Sequence, residues 1–256
     1  MLLLSTSSLK GYGLHKIFSI VKKSRFSGID LVLDENNYDT QDLDYILSLT
    51  EEFGVKVLSI TAYNKSLDKE NIDKIIKMSE VLETQIVTFS PPHIKDKNID
   101  FYVNYLKKIK SDTLKSISIK NIEQKFMFFI IPEYKNANLV DIKNITGDTS
   151  LSLDGIDSST GIDIIKAYDI LGNSIKNIYL ADKSDKNMGL LPGKSIGGIS
   201  YLPIESFLMK TKVSGYSGFF SLKVVPKELG IGNEEIILEN LGNFKKYFDK
   251  YFTNHK

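Results

Sequence analysis

Lysine stands at or beside the end of two short apolar runs of this sequence, at Lys120 and Lys223. Aspartate closes or follows two others, at Asp154 with Asp157 and at Asp182, while His93 and Tyr179 stand at or beside the ends of two runs. Lysine beside aspartate can do two kinds of work. A protonated lysine has three donors and no acceptor, so it holds a phosphate, a carboxylate or a sugar-like ligand. A neutral lysine attacks a carbonyl, and an aspartate such as Asp154 or Asp157 can then shuttle the protons. Other chemistries are thinly supplied. There is no cysteine, which excludes disulfides, thiolate metal sites and cysteine nucleophiles, and the histidines are only His15, His93 and His255. Gly193-Lys194-Ser195 looks like the end of a phosphate-binding loop, but that pattern needs glycine at 188, where Met188 stands.

These residues can cooperate only if the elements bring the run ends together. The runs are Leu2–Ser5, Ile29–Leu33, Lys56–Ile60, Gln85–Phe89, Ser116–Lys120, Ser150–Asp154, Lys176–Leu180 and Gly218–Val224. Each is short, mostly apolar and rich in β-branched residues, the mark of a buried strand. Between them the apolar spacing turns helical: Ile72, Ile75, Ile76 and Ser79 share a face, as do Ile99, Val103, Leu106 and Ile109. Asp68 suits a helix N-cap, and Gly54 and Gly172 suit helix stops. Ile237, Leu241, Phe244, Phe248 and Tyr251 form a long C-terminal stripe that predicts a helix packed on the body. Asp157-Ser158-Ser159-Thr160 reads as an N-cap cluster opening a helix. The apolar Phe126–Ile131 reads as the start of the fifth helix, or as a patch where a second subunit docks. Gly197-Gly198 reads as a flexible loop over the site.

Eight strands alternating with helices within 256 residues predict a single (β/α)8 TIM barrel across residues 1–256. No Pro/Gly/Ser linker divides the chain, and Gly11-Tyr-Gly13 does not complete the glycine pattern of a doubly wound sheet. In a barrel, chemistry sits at the C-terminal strand ends, which is where the residues named above fall.

Composition narrows the partners. With 33 basic and 32 acidic residues the net charge is +1, so no overall field attracts nucleic acid or anionic lipid. Arg25 is the only arginine, whereas base readers rely on that side chain. No apolar stretch nears the ~20 residues of a membrane span, and the N-terminus lacks the basic region of a signal peptide. A cytoplasmic protein with a small-molecule ligand and no cofactor is expected, with neither nucleic acid nor membrane as partner; homo-oligomerisation is left open.

Several segments resemble the xylose isomerase-like sugar phosphate isomerase/epimerase family. Gly28-Ile-Asp-Leu-Val-Leu33 resembles its second strand and Phe53-Gly-Val-Lys-Val-Leu-Ser59 its third. Leu151-Ser-Leu-Asp154-Gly-Ile-Asp157 and Ile178-Tyr-Leu-Ala-Asp182 resemble its sixth- and seventh-strand motifs. Leu191-Pro-Gly193 followed by Gly215-Tyr-Ser-Gly218-Phe-Phe-Ser-Leu-Lys223-Val resembles its last loop and strand. The resemblance implies a barrel and sugar isomerisation or epimerisation at a divalent metal held by two Glu, an Asp and a His.

At those four places stand Lys120, Asp154, Tyr179 and Lys223, and only Asp154 keeps the family's residue. Asp157 stands where the family has a substrate-contacting His, and the second-strand Glu falls at Leu33, with Glu35 two residues on. Asp182 matches the seventh-strand Asp that supports the mouth; its simplest role is to hydrogen-bond a loop. His93, after two prolines, is placed for a substrate contact or for a solvated loop. Exchanging two carboxylates for two ammonium groups turns a cation site into one that favours anions, so no metal is expected. The histidines are too few for the multi-zinc site of the related endonuclease IV group, which argues against DNA repair. Three readings of the lysine pair remain: pairing with Asp154 in the metal's place, anion binding without turnover, or amine chemistry of the lyase type. Asp154 neutralises only one ammonium, so an anion, Asp157 or another carboxylate should complete the cluster.

Overall fold

The computed structural model describes residues 1–63, 68–96, 98–113, 115–128, 130–157, 160–194 and 198–252. The strands β1 (Leu2–Ser5), β2 (Gly28–Val32), β3 (Val57–Thr61), β4 (Ile86–Phe89) and β5 (Ser116–Lys120) follow the predicted runs within a residue. A small hairpin, β6 (Phe126–Met127) and β7 (Ile131–Pro132), precedes β8 (Asp148–Ser152), β9 (Ile175–Leu180) and β10 (Phe219–Leu222). The helices between them are α1 (Leu14–Ser24), α2 (Leu43–Phe53), α3 (Lys69–Val81), α4 (Ile99–Asp112), α5 (Leu139–Thr146), α6 (Ile164–Leu171) and α7 (Ile204–Val213). A short α8 (Pro226–Leu229) and the long α9 (Glu234–Phe252) follow β10.

All strands except β6 and β7 form one closed parallel barrel in the order β1-β10-β9-β8-β5-β4-β3-β2. β1 closes the ring, with Leu3 opposite Ser221 on one side and Gly28 on the other. The fold is a single (β/α)8 TIM barrel. A Cβ on Gly28 would stand 2.7 Å from the Lys56 carbonyl, so glycine lets β2 and β3 approach where their register shifts.

The helix signals hold at most ends. Asp68 accepts from the Asn71 amide at 2.9 Å, and Gly54 ends α2 in the left-handed region at φ 64°. Arg25 ends α1 the same way at φ 57°, and the next residue, Phe26, is buried in the core. Ile237, Leu241, Phe244 and Phe248 bury the stripe of α9. Among the described residues no helix is long and apolar enough to cross a membrane.

Two expectations are corrected. Phe126–Ile131 is not the start of a helix: it folds back as the β6–β7 hairpin, with Phe128 and Ile130 in its turn largely exposed, and the fifth helix begins only at Leu139. Pro132 and the lack of helical apolar spacing explain why no helix forms there. Helix α6 is opened by Asp163, whose carboxylate accepts from the Lys166 amide at 2.8 Å, and not by the cluster at Asp157. Ser158 and Ser159 of that cluster, like Ser195, Gly197 and His255, lie outside the described residues.

Strand residues alternate between two environments. Leu4, Ile29, Leu31, Ile60, Val87, Phe89, Ile117, Ile119, Leu151, Ile178, Phe220 and Leu222 all belong to the main apolar core between barrel and helices. The intervening positions face the barrel interior. Leu3, Ile86 and Phe219 plug its N-terminal end as a small separate cluster. Above them the interior is polar, built of Asp30, Ser59, Thr88, Ser118, Ser150, Asn177 and Ser221, all buried. The hydroxyls of Thr88, Ser118 and Ser150 form a triangle with edges of 3.0, 2.9 and 2.7 Å.

Candidate active site at the barrel mouth

Lys120 ends β5, and Lys223 follows β10 by one residue. In Ser-Ile-Ser-Ile-Lys120 and Phe-Phe-Ser-Leu-Lys223 each lysine falls in phase with the inward serine two places before it, so both side chains rise at the C-terminal mouth. Both line a cavity of about 730 Å³ that opens toward the first strands, with Thr6, Thr61, Glu35 and Tyr63 among its walls. Both also line a smaller lobe of about 380 Å³ on the other side, shared with Asn121, Tyr134, Ser152 and Asp154. The lysine pair therefore stands at the centre of the mouth, with Asp154 beside it. Glycine at 189 lets its loop close on this wall: a Cβ there would lie 2.9 Å from Val225.

The Lys223 ammonium lies 4.8 Å from the centroid of the Tyr179 ring, a cation–π contact. Tyr179 is fully buried, and its hydroxyl is 2.7 Å from Thr61 Oγ1. Burial holds its phenol well above the ordinary range, so it stays protonated. Burial also lowers the Lys120 amine from 10.5 to about 7; the neighbouring Lys223 pushes the same way, and attraction to Asp30 and Asp154 opposes them. Asp154 is raised by burial, against the Ser152 hydroxyl that donates to it at 2.7 Å and the nearby Lys223 charge.

Among the described residues the Lys120 side chain has no hydrogen bond or ion pair, and the Lys223 side chain has no partner beyond the Tyr179 ring. The expected ion pair with Asp154 is not made. The second carboxylate is instead Asp30, at the middle of β2 and fully buried. It accepts from Ser59 Oγ at 2.8 Å and Thr61 Oγ1 at 3.0 Å through Oδ1, while Oδ2 has no hydrogen-bond partner among the described residues. This is the acid that the second strand turns into the barrel. Leu33, where the resemblance put it, is packed in the apolar core, and Glu35 lies on the wall of the larger lobe. The sequence carried one signal for Asp30: a charged residue in the interior phase of an otherwise apolar strand.

The other candidates line neither lobe of the mouth. Asp182 is buried and spends its oxygens on the backbone amides of Lys183, Tyr201 and Leu202, at 2.8, 2.7 and 2.8 Å, so it pins the loop after β9. His93 accepts from the Lys95 amide at 3.0 Å through Nδ1 and sets its ring edge-on to Tyr134, which lines the smaller lobe. Asp157 is half-buried and its carbonyl accepts from the Thr160 amide at 3.2 Å. Lys194 donates to the Glu228 carbonyl at 2.8 Å, an exposed loop contact.

The comparisons with known proteins bear on this geometry. No protein-family model matches the sequence, and no curated protein matches it. Solved structures do. One described as a D-tagatose 3-epimerase-like protein superposes with a TM-score of 0.68 at 14% identity, covering 98% of this chain and 97% of that one. A xylose isomerase domain containing protein from Salmonella typhimurium gives 0.66 at 12% identity, covering 96% of each chain. The fold is that of the xylose isomerase-like TIM barrels. Endonuclease IV from Thermus thermophilus shares it too, with a TM-score of 0.60 at 11% identity over 97% of this chain and 99% of that one.

A divalent metal of the kind the sequence resemblance implies does not fit these residues. Of the four positions, two are lysines where the resembled family has carboxylates, so the site has lost two anionic oxygen ligands, and one is a phenol kept protonated by burial, which leaves Asp154 as the one anionic ligand. Among the described residues no three His, Asp or Glu side chains converge as a metal site would require.

Proposed function

We propose that this xylose isomerase-like barrel binds a small oxygen-rich ligand, a sugar phosphate or similar anion, at its mouth without a divalent metal. The observation that carries this reading is the pair of lysine side chains, Lys120 and Lys223, whose nitrogens face a common cavity and have no ion pair or hydrogen bond among the described residues. Ligand oxygens supply the acceptors the chain withholds. The metal-held enediol route of the resembled family is lost with its acid and base residues, so isomerase turnover by that route is not part of the reading. Phosphate, or a hexose or pentose phosphate, should raise the melting temperature by several degrees at tens of millimolar, by binding the folded state alone. Lys223→Met should abolish the response. A wild-type chain that shows no shift with any of them rejects the proposal. Elemental analysis after dialysis should find no stoichiometric manganese, magnesium, cobalt or zinc.

A second reading has its own support: the Lys120 amine, lowered to about 7, is in good part neutral at physiological pH. A neutral amine adds to a carbonyl carbon, and loss of the carbonyl oxygen as water leaves an imine that borohydride reduces to a stable amine. Trapping with small aldehydes or keto acids should then add mass at Lys120; an unmodified Lys120 rules out Schiff-base chemistry on the carbonyls tried.

A further inference from the structure

Asp30 is unusual for a residue at the centre of a barrel. Its Oδ1 takes two hydroxyl donors, while Oδ2 is buried with no hydrogen-bond partner, one of three such side-chain atoms among the described residues. A carboxylate placed only to join strands would have both oxygens satisfied, because an unmet buried acceptor is costly. The hydrogen bonds of Oδ1 lead upward. Thr61 has one hydroxyl proton and gives it to Asp30, so the Tyr179 hydroxyl donates to Thr61. The Tyr179 ring at the end of that chain is the surface on which the Lys223 ammonium rests. The same carboxylate also attracts Lys120. Counted together, two ammonium groups at the mouth face two carboxylates, Asp154 beside them and Asp30 beneath.

We propose that Asp30 is a positioning residue for the mouth, the fixed negative charge that holds the Lys120 and Lys223 ammonium groups over the barrel centre. This rests on the reading of those lysines as the ligand-binding groups. It also explains how two like charges stay together without an ion pair: the compensation comes from below and leaves their donors free for a ligand. The charged and titratable groups that act on Lys120 are Lys223 from the end of β10, Asp154 after β8 and Asp30 from β2, with the protonated Tyr179 between them.

The test is the titration of Lys120 in the ligand-free chain, read as the pH dependence of its acetylation by pulsed acetic anhydride. Peptide mass spectrometry reports the rate, with the exposed Lys246 as internal reference. Asp30→Asn keeps the shape and removes the charge, and should lower the Lys120 midpoint by about one pH unit, a roughly tenfold change in the ratio of free to protonated amine. Lys246 should not move. A folded Asp30→Asn chain whose Lys120 midpoint stays within about 0.3 unit of the wild type overturns the proposal, because a purely structural carboxylate would destabilise the fold without moving that midpoint. If Asp30→Asn does not fold, Asp30→Ser, which leaves room for water, carries the same expectation and the same rejection. No ligand is present in this experiment, so its failure is separable from failure of the melting-temperature test.

Discussion

On the outside of the barrel strands, Ile29, Leu31, Ile117, Ile119, Ile178 and Phe220 press against the helices in one apolar core. On the inside, one residue out of phase, Asp30, Ser118, Ser150, Asn177 and Ser221 share a buried space with hydroxyls and a carboxylate. Parallel barrel strands usually bury apolar side chains on both faces. Here the outer face supplies the burial that makes the fold stable, and the inner face carries polar groups that lead to the mouth. Stability and site chemistry are thus divided between the two faces of the same strands.

The largest effect should come from the outer face. Phe220 is 2% exposed and packs on Phe248 and Phe252, so Phe220→Ala should cost about 3–5 kcal/mol in urea denaturation. A cost under about 1 kcal/mol would break the division. Next comes a gain. Folding lowers the Lys120 amine from 10.5 to about 7, so the folded state resists the proton that the unfolded chain accepts. That penalty is complete below about pH 7 and fades as pH rises toward 10.5, where both states are neutral. Lys120→Met should therefore stabilise the chain at pH 6 by about 1–3 kcal/mol, after allowance for screening through the open mouth, and by progressively less above pH 8. Equal gains at pH 6 and pH 10 would show that packing and not charge is responsible. The smallest effect should be Ser118→Ala, about 0.5–1.5 kcal/mol, because Thr88 and Ser150 still bond each other at 2.9 Å. A loss as large as that of Phe220→Ala would place the main source of stability inside the barrel.

The outer face was the legible one. Apolar runs located the barrel strands and the stripes located α3, α4 and α9, because burial against helices forces those residue types. The inner face was written in the same runs as Ser-Ile-Ser-Ile-Lys120 and Ser-Leu-Ser-Leu-Asp154, a period of two that a search for continuous apolar strands passes over. Asp30 was hidden in the same way, and the resemblance set the second-strand acid three residues late, at Leu33. That Lys120, Lys223 and Asp154 meet at one mouth was legible because a barrel gathers its strand ends; the missing ion pair among them was not, since it depends on distances of a few ångströms between side-chain tips. Asp182 matched its simplest role, holding a loop. The Phe126–Ile131 hairpin failed because composition alone does not tell a strand pair from a buried helix.

Arg25 has a practical consequence. As the sole arginine, at the exposed turn between α1 and β2, it gives an arginine-specific protease one place to cut. Phe26, on the far side of that bond, is anchored in the core, so the cut should wait for the turn to open and its rate should report that opening. The severed N-terminal piece still carries β1, hydrogen-bonded to β10 on one side and β2 on the other. The nicked chain should hold together as a two-fragment barrel, and the natural place to split this protein for a reassembly sensor is after its only arginine.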